Sequence, residues 1–445
     1  MNITEQCGDE EDKLRAIPWS LGAGILNTLF ALWTFSGSVF LLFLHELGLN
    51  TEQIGMLLSL FPFCGLLALG FAPVAARLGR KRVFLAGYGI RKFVMAGLIQ
   101  LPWVLFHGGR RTGMIFLVAI ICIFALLRAF AETGYYPWLQ EFIPNRVRGQ
   151  YTGVSTVLGM LASVGGLLFA GWVIGTGTGL PRFLLLIGAG CCAGLLGVVA
   201  MAWVPGGKPL PQVASSRAHT ANMREALGDH NLVAYLGGLG AVTMGALFVT
   251  SFLPLFVHTQ LHIPADAVVR LDTAVMLGNG LSCLFWGWAA DRVGSRPVLM
   301  PALAMLLLIP LGWLLLPRHS PHLLACCIIL YAGFGIANGG VAVATGRLLF
   351  NRVVPPEKST AYTALYYAWL GITGGLTPLL AGAMLKAFTR WQSPIGPYML
   401  DGYALLFLCA LLLLAIGTTL FTRVIPDDRY TTRMVIRQFF RGNQK

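Results

Sequence analysis

Ionisable side chains inside long apolar runs are the residues of this chain best placed to do chemistry. Arg91 lies nine residues beyond Arg82, which is about 13 Å along a helix. Glu132 lies 12 residues before Pro144, or about 18 Å away. Arg128 and Glu132 are four residues apart, so they share a helix face and can pair. Charges at such depth in apolar surroundings are costly, which makes all three candidates for binding a substrate or a coupling ion.

Three interpretations of these residues remain open. In the first, an arginine binds an anionic group on a substrate, and Glu132 carries a proton that substrate binding can displace or retain. In the second, Arg91, Arg128 and Glu132 form a static salt-bridge cluster that joins two helices. In the third, the arginines extend towards the ends of their helices and do little, which is also the behaviour we expect of Lys92.

Polar side chains elsewhere repeat at seven-residue spacing, which places them on one face of a helix. They suit a cavity for an uncharged part of a substrate, or equally hydrogen bonds between packed helices. These weaker candidates are Asp272 with Asn279, Tyr331 with Asn338 and Thr345, and the isolated Asn27, Trp33, Tyr366 and Tyr367.

The composition shows which solvent surrounds these segments. Hydrophobic residues make up 56% of the 445 positions and charged residues only 11%, with a mean hydropathy of +0.72. A soluble domain carries about 25% charged residues. The chain therefore cannot expose its surface to water, and we expect a lipid bilayer as its partner.

Twelve apolar stretches are long enough to cross a bilayer, which takes about 20 residues. They are 18–44, 52–76, 83–106, 113–142, 150–176, 182–204, 231–257, 265–290, 297–317, 321–350, 359–386 and 399–423. The longest polar break separates six spans from six. We therefore predict an N-terminal tail (1–17), an N-terminal six-helix bundle (18–204), a central loop (205–230), a C-terminal six-helix bundle (231–423) and a basic tail (424–445).

The distribution of basic residues predicts how the chain is oriented in the membrane. With both termini in the cytoplasm, 22 Lys and Arg fall in cytoplasmic segments and six in external ones. This asymmetry follows the positive-inside rule. It also accounts for the formal net charge of +14, so the charge gives no reason to expect a nucleic-acid partner.

A short charged turn occurs twice. Asp291-Arg292-Val293-Gly294-Ser295-Arg296 follows Gly287 between two spans, and Ala76-Arg77-Leu78-Gly79-Arg80-Lys81 occupies the corresponding place 215 residues earlier. A second pair of landmarks, 139–144 and 350–355, repeats at an offset of 211. The repetition indicates a duplicated bundle. Charged groups at such helix ends can pair and act as a latch between conformations, or simply form a tight turn.

These landmarks resemble the major facilitator superfamily, whose pattern G-x-L-A-D-R-x-G-R-[RK] follows helix 2 and recurs after helix 8. Gly287, Asp291, Arg292, Gly294 and Arg296 match the later copy. The earlier copy keeps Arg77, Gly79, Arg80 and Lys81 but has Ala76 in place of the acid.

Arg128 and Glu132, followed by Gly134 and Pro137, resemble the helix-4 motif of proton-coupled members. The patterns G-P-x-x-G-G and P-E-S-x-R of drug antiporters and sugar porters are missing.

The resemblance implies an all-α membrane protein with twelve helices in two six-helix bundles. It implies a secondary active transporter that moves a small organic solute by alternating access. The intramembrane carboxylate of Glu132 leads us to expect coupling to protons, and the compact loops without a targeting signal lead us to expect a bacterial plasma membrane. A non-transporting sensor or assembly protein on the same scaffold is the alternative, because Ala76 breaks the first turn. We expect no enzyme activity, cofactor or metal, since the histidines lie in loops and no phosphate-binding loop is present.

Overall fold

Long helices make up nearly all of the structure, a computed structural model that describes residues 3–67, 71, 77–207, 225–318, 321–355, 359–395 and 398–427. Two compact units contain them. Within the described residues, unit 1 comprises 3–49, 60–67, 71, 77–207 and 265–269, and unit 2 comprises 50–59, 225–264 and the described part of 270–427.

The helices assigned wholly to unit 1 are α1 (Ile3–Thr34), α2 (Gly37–Glu46), α4 (Arg80–Ala96), α5 (Leu101–Phe142), α6 (Arg148–Gly175) and α7 (Pro181–Ala202). Those of unit 2 are α8 (His230–Thr250), α9 (Leu253–Thr259), α11 (Ser295–Leu314), α12 (Leu323–Leu348), α13 (Ser359–Ala387) and α14 (Gly402–Phe421). Residues of α3 (Thr51–Leu66) and α10 (Ala265–Val293) are divided between the units. An antiparallel hairpin of β1 (Gln392–Ile395) and β2 (Tyr398–Asp401) precedes α14.

Ten segments of the described chain are long and apolar enough to cross a membrane. One of them, Arg80–Phe142, has 63 residues, which is about three times the length of a crossing. Gly109 interrupts it with a φ of 71°, between the predicted spans 83–106 and 113–142. The predicted span 52–76 corresponds to α3, and most of its remainder lies outside the described residues.

The first predicted span, 18–44, is two helices rather than one. α1 ends at Thr34 and α2 begins at Gly37, whose positive φ of 67° lets the backbone change direction. α1 also begins at Ile3, so it extends through the segment that we assigned to a polar tail. Acidic side chains near a helix N-terminus favour such an extension, because they complement the helix dipole.

The two units repeat the same helix pairings. In unit 1, α1 packs against α7, and α4 packs against both α5 and α7. In unit 2, α8 packs against α14, and α11 packs against both α12 and α14. Corresponding helices begin at Arg80 and Ser295, 215 residues apart, and at Arg148 and Ser359, 211 residues apart. These pairings agree with the duplicated bundle that the sequence predicts.

Apolar side chains occupy both the inside and the outside of each unit. Phe84, Trp138 and Phe142 lie in a buried cluster of unit 1. Large apolar residues are also exposed, among them Phe106 at 85% and Leu284 at 74%. Side chains of this kind at the surface are expected where hydrocarbon rather than water is the solvent.

Glycine lets α10 and α12 approach closely in unit 2. A Cβ at Gly278 would lie 2.5 Å from the Ala332 carbonyl oxygen, and a Cβ at Gly335 would overlap the Val275 carbonyl oxygen. Both obstacles are backbone atoms, which cannot rotate away. Small residues at such a crossing are a common device of membrane helix packing.

Gly335→Ala should therefore destabilise unit 2 by about 1–3 kcal/mol, because the added methyl group forces the two helices apart. Thermal unfolding of the purified protein in detergent measures the effect. Gly346→Ala on the same helix is the matched control, since a Cβ there has no neighbour within 4 Å. Equal stability of the two variants would show that the crossing is not close.

Candidate functional site

Arg91 is enclosed within unit 1. It lies on α4 and is 3% exposed. Its guanidinium carbon lies 4.0 Å from the centre of the Tyr88 ring, 5.9 Å from that of Phe30 and 5.7 Å from that of Phe124. One Nη donates to the Asn27 side-chain oxygen on α1 at 3.4 Å. Its Nε is buried and makes no hydrogen bond within the described chain.

Glu132 and Arg128 form the pair that their spacing predicts. The Arg128 Nε donates to the Glu132 Oε1 at 2.8 Å, one turn apart on α5. The two side chains are 35% and 42% exposed. The Arg128 guanidinium also lies 5.5 Å from the centre of the Phe35 ring. The pair is therefore accessible, in contrast to the enclosed Arg91.

A cavity of about 160 Å³ brings three of the predicted residues together. Asn27, Arg91 and Glu132 line it, and they come from α1, α4 and α5. Tyr88 and Ser20 also contribute to its wall. Unit 1 thus contains a space with a buried cation, an accessible carboxylate and an amide within an otherwise apolar bundle.

The geometry distinguishes among the three interpretations of these charges. The Arg128–Glu132 pair lies within one helix, so it does not tie α4 to α5. Arg91 has no ion pair with any carboxylate in the described ranges. Nor does it extend towards a helix end, because aromatic rings of α1, α4 and α5 surround it. The arrangement favours a binding site over a static cluster.

The interpretation of Lys92 as an extended, solvated side chain is wrong. Lys92 is 0% exposed. Its Nζ donates to the Gly194 carbonyl oxygen on α7 at 2.9 Å and lies 3.7 Å from the centre of the Tyr88 ring. A Cβ at Gly194 would lie 2.8 Å from Lys92 Cδ, so this glycine makes room for the lysine stem. This space is provided by α7, which is far from Lys92 in the sequence, so the local sequence around Lys92 does not reveal it.

Lys92→Met should leave folded stability within about 1.5 kcal/mol, because methionine keeps the buried stem and removes a polar group from an apolar site. Lys92→Ala should cost about 2–5 kcal/mol through the void that it leaves. Thermal unfolding of both variants tests the packing role of the stem. A large loss with methionine would instead assign the stabilisation to the amine and its bond to Gly194.

The candidates of the second half lie on α10, α12 and α13. Tyr331 is 2% exposed, and its hydroxyl makes no hydrogen bond within the described part of the chain. Asn279 accepts a hydrogen bond from Cys283 Sγ at 3.2 Å, one turn along α10. Asp272 and Asn338 are half-buried.

Trp33, a weaker candidate of the first half, lies in unit 1. Its indole donates to the Gly166 carbonyl oxygen at 2.8 Å and so joins α1 to α6.

The later charged turn connects four helices of unit 2. Asp291 pairs with Arg347 of α12, although 81% of its side chain is exposed. Arg347 also lies 3.4 Å from Asp427, whose side chain is 3% exposed. Asp427 accepts hydrogen bonds from the Ser295 backbone N–H at 3.1 Å and from its hydroxyl at 2.5 Å. Arg296 donates to the Thr422 carbonyl oxygen at 2.7 Å, at the end of α14.

The remaining residues of that turn have simpler environments. Gly294 has a φ of 88° and reverses the chain between α10 and α11. The exposed Arg292 places its guanidinium 4.4 Å from the centre of the Trp288 ring. Gly287 has open space around its Cα, since a Cβ there would have no neighbour within 4 Å.

The earlier turn uses equivalent positions in unit 1. Gly79 has a φ of 98°, and Lys81 donates to the Ala202 and Val204 carbonyl oxygens at the end of α7, at 2.8 and 2.7 Å. Arg80 lies 3.6 Å from Glu141 at the end of α5. Arg77 is exposed, and Ala76 lies outside the described residues.

The two turns differ in whether the acid of the ion pair belongs to the turn itself or to the neighbouring helix. In unit 1 the turn contributes Arg80 and the neighbouring helix contributes Glu141. In unit 2 the turn contributes Asp291 and the neighbouring helix contributes Arg347. Sequence reasoning did not identify Asp427 as a member of the second network. Its only local signal is an acidic residue among the basic residues that follow the last span.

Asp427→Ala should destabilise the protein by about 1.5–3 kcal/mol, because it removes a buried charged acceptor of the Ser295 backbone and hydroxyl. Asp291→Ala should cost less than about 1 kcal/mol, since its ion pair is exposed to solvent on the aspartate side. Urea or thermal unfolding in detergent compares the two. A greater loss at Asp291 would make the acid of the turn itself, and not Asp427, the main stabilising group.

A family model named Major Facilitator Superfamily matches residues 21–271 and 271–439. The chain belongs to the major facilitator superfamily. Its fold is similar to that of the nucleoside transporter NupG, with a TM-score of 0.67, 15% identity and coverage of 92% of this chain and 100% of that one. It is also similar to a D-xylose-proton symporter, with a TM-score of 0.68, 13% identity and coverage of 94% and 98%.

Two further likenesses extend these findings. A bacterial homologue of the human lysosomal transporter Spinster, in an inward-facing and unoccupied conformation, matches with a TM-score of 0.64 and 15% identity, over 96% of this chain and 98% of that one. In sequence, 178 residues are 24% identical to autophagy-related protein 22-2 of Emericella nidulans. That match covers 37% of this chain and 29% of the length of that relative. The chain is thus a multi-pass membrane protein with the fold of a transporter.

Proposed function

We propose that this superfamily member is a secondary active transporter that moves a small organic solute across a membrane by alternating access, driven by protons bound at Glu132. The observation that carries the proposal is the cavity of unit 1, where Glu132 and Arg91 face one space inside an apolar bundle. A polar space enclosed by lipid-facing helices has no structural necessity, because apolar side chains would fill it at lower cost.

The Arg128–Glu132 pair provides a means of coupling. In the deprotonated state the two charges compensate each other at 2.8 Å. A proton on Glu132 removes the negative charge and releases the Arg128 guanidinium. The electrostatic potential of the cavity then becomes more positive, so proton binding and solute binding influence one another, as reciprocal linkage requires.

The transporter is proposed to reside in a bacterial plasma membrane with both termini in the cytoplasm. The orientation is supported by the distribution of Lys and Arg, which places 22 on the cytoplasmic side and six on the other. On this assignment the two charged turns at Gly79 and Gly294 lie on the cytoplasmic side. Their ion pairs are then suited to act as latches that break and reform during transport.

Proton coupling is tested by reconstituting the full chain in liposomes and imposing a pH gradient of either polarity. The panel of radiolabelled solutes contains benzoate, pyruvate, D-xylose and uridine. We expect at least one of them to accumulate against its gradient. Glu132→Gln should reduce that accumulation about tenfold or more, while exchange of the same solute across the membrane in the absence of a gradient persists.

Glu46→Gln is the matched control, because Glu46 pairs with Arg182 at 3.7 Å and does not line the cavity. It should retain gradient-driven accumulation. If Glu132→Gln accumulated solute as well as the parent protein with an unchanged pH profile, Glu132 would not be the proton carrier. If no panel member moved in either assay, transport of small solutes of these classes would be rejected.

A further inference from the structure

We infer that the cavity of unit 1 binds a single carboxylate group of a small organic anion, with Arg91 as its anchor. The inference deepens the proposed transport function, on which it rests, by naming the class of solute. It follows from three features of the cavity: a buried cation without an ion pair in the described chain, a carboxylate that is already paired with another arginine, and a volume that fits a small organic acid.

The first feature is the charge of Arg91. A guanidinium remains ionised inside proteins, and here it is 3% exposed with no ion pair to a carboxylate in the described chain. Among the described residues, Asn27 is the one on another helix that accepts a hydrogen bond from Arg91, at a long distance of 3.4 Å, and the Arg91 Nε has no acceptor there. Aromatic faces offset part of the desolvation cost, but they do not accept the N–H groups in the guanidinium plane.

The second feature is that Glu132 forms its ion pair with Arg128 and not with Arg91. Its Oε1 accepts from Arg128 Nε, so this carboxylate and that guanidinium compensate each other within α5. The groups that line the cavity together with Arg128 therefore carry one net positive charge. A carboxylate from a solute would restore neutrality and would give the guanidinium a planar acceptor for two parallel hydrogen bonds.

The third feature is size. A cavity of about 150 Å³ is known to accommodate benzene, and this one measures about 160 Å³. Its wall combines polar Asn27 and Ser20 with the apolar surfaces of Phe84, Tyr88 and Met201. Ser20 is already hydrogen-bonded to Tyr151 at 2.7 Å, which leaves the Arg91 and Asn27 side of the cavity to receive the charged group. A carboxylate attached to a ring or a short chain matches this wall, because its charged group can face Arg91 and Asn27 while its hydrocarbon part contacts the apolar surfaces.

Benzoate and its uncharged isostere benzamide test the inference, because they differ in charge and hardly in shape. Equilibrium binding to the purified full chain at pH 7 is measured by calorimetry. We expect benzoate to bind at least tenfold more tightly than benzamide. Arg91→Met should abolish this preference, whereas Arg91→Lys, which keeps a positive charge but not the planar fork, should retain part of it.

A second pair of variants leaves every charged residue in place. Gly24 lines the cavity, and a Cβ there has no neighbour within 4 Å, so Gly24→Leu should fill the space without a clash at its first carbon. Gly22 on the same helix is equally open but does not line the cavity. We expect Gly24→Leu to weaken benzoate binding at least tenfold and Gly22→Leu to leave it unchanged.

Equal affinities for benzoate and benzamide, or benzoate binding that survives both Arg91→Met and Gly24→Leu, would overturn the inference. Should Arg91→Met fail to fold, Arg91→Lys and the two glycine variants still decide it.

These outcomes are separate from those of the transport assay. Gradient-driven movement of D-xylose or uridine without a preference for benzoate would reject the anion site alone. Benzoate binding in a protein that transports none of the panel would reject the proposed function alone.

Discussion

The absence of water around a membrane-spanning bundle is the constraint on which the rest of this structure depends. Hydrocarbon cannot compensate a charge, so every ionised group inside the bundle must find its partners within the protein. Arg91 meets this demand incompletely. Three aromatic rings and one long hydrogen bond surround it, and its Nε is left without an acceptor in the described chain. A bundle selected for stability alone would have an apolar side chain at this position.

The same constraint applies to the other ionised groups within the helices of unit 1. Unit 1 has Arg91, Lys92, Arg128 and Glu132 within its helices. The first two share the Tyr88 ring as a neighbour, and the last two form an ion pair. Among the polar groups that we singled out in unit 2, Asn279 is engaged within its own helix. The two units thus share their helix pairings, while the polar side chains within them differ.

At the turns, backbone geometry has been preserved more strictly than charge. Gly79 and Gly294 both have a positive φ, because each reverses the chain between two helices. Lys81 and Arg296 stand 215 positions apart, and each donates to carbonyl oxygens at the end of the helix that packs beside it, α7 or α14. These carbonyls lack helical partners, so a cation there satisfies them and complements the helix dipole. The acid of each turn, in contrast, comes from different elements in the two units.

Position 76 is an alanine where the family pattern has an acid, and a carboxylate from another helix takes part in the ion pair of this turn instead. Glu141 faces Arg80 from the end of α5, so unit 1 retains an ion pair at its turn without the acid of the family pattern. In unit 2 the exposed Asp291 is joined by the buried Asp427, which binds the backbone at the start of α11. The motif by itself therefore understates the number of acids that hold these turns.

The sequence by itself determined the family, the lipid environment, most of the spans and the Arg128–Glu132 pair. Each of these follows from local hydrophobicity or from the fixed rise of a helix, as the agreement of 150–176 with Arg148–Gly175 illustrates. Tertiary structure alone decided that Lys92 is enclosed against Gly194, that Asp427 supports the later turn, and that Asn27, Arg91 and Glu132 meet at one cavity. The physical reason is that each of these contacts joins helices far apart in the chain, and the periodicity of one helix does not specify which neighbour its polar face will meet.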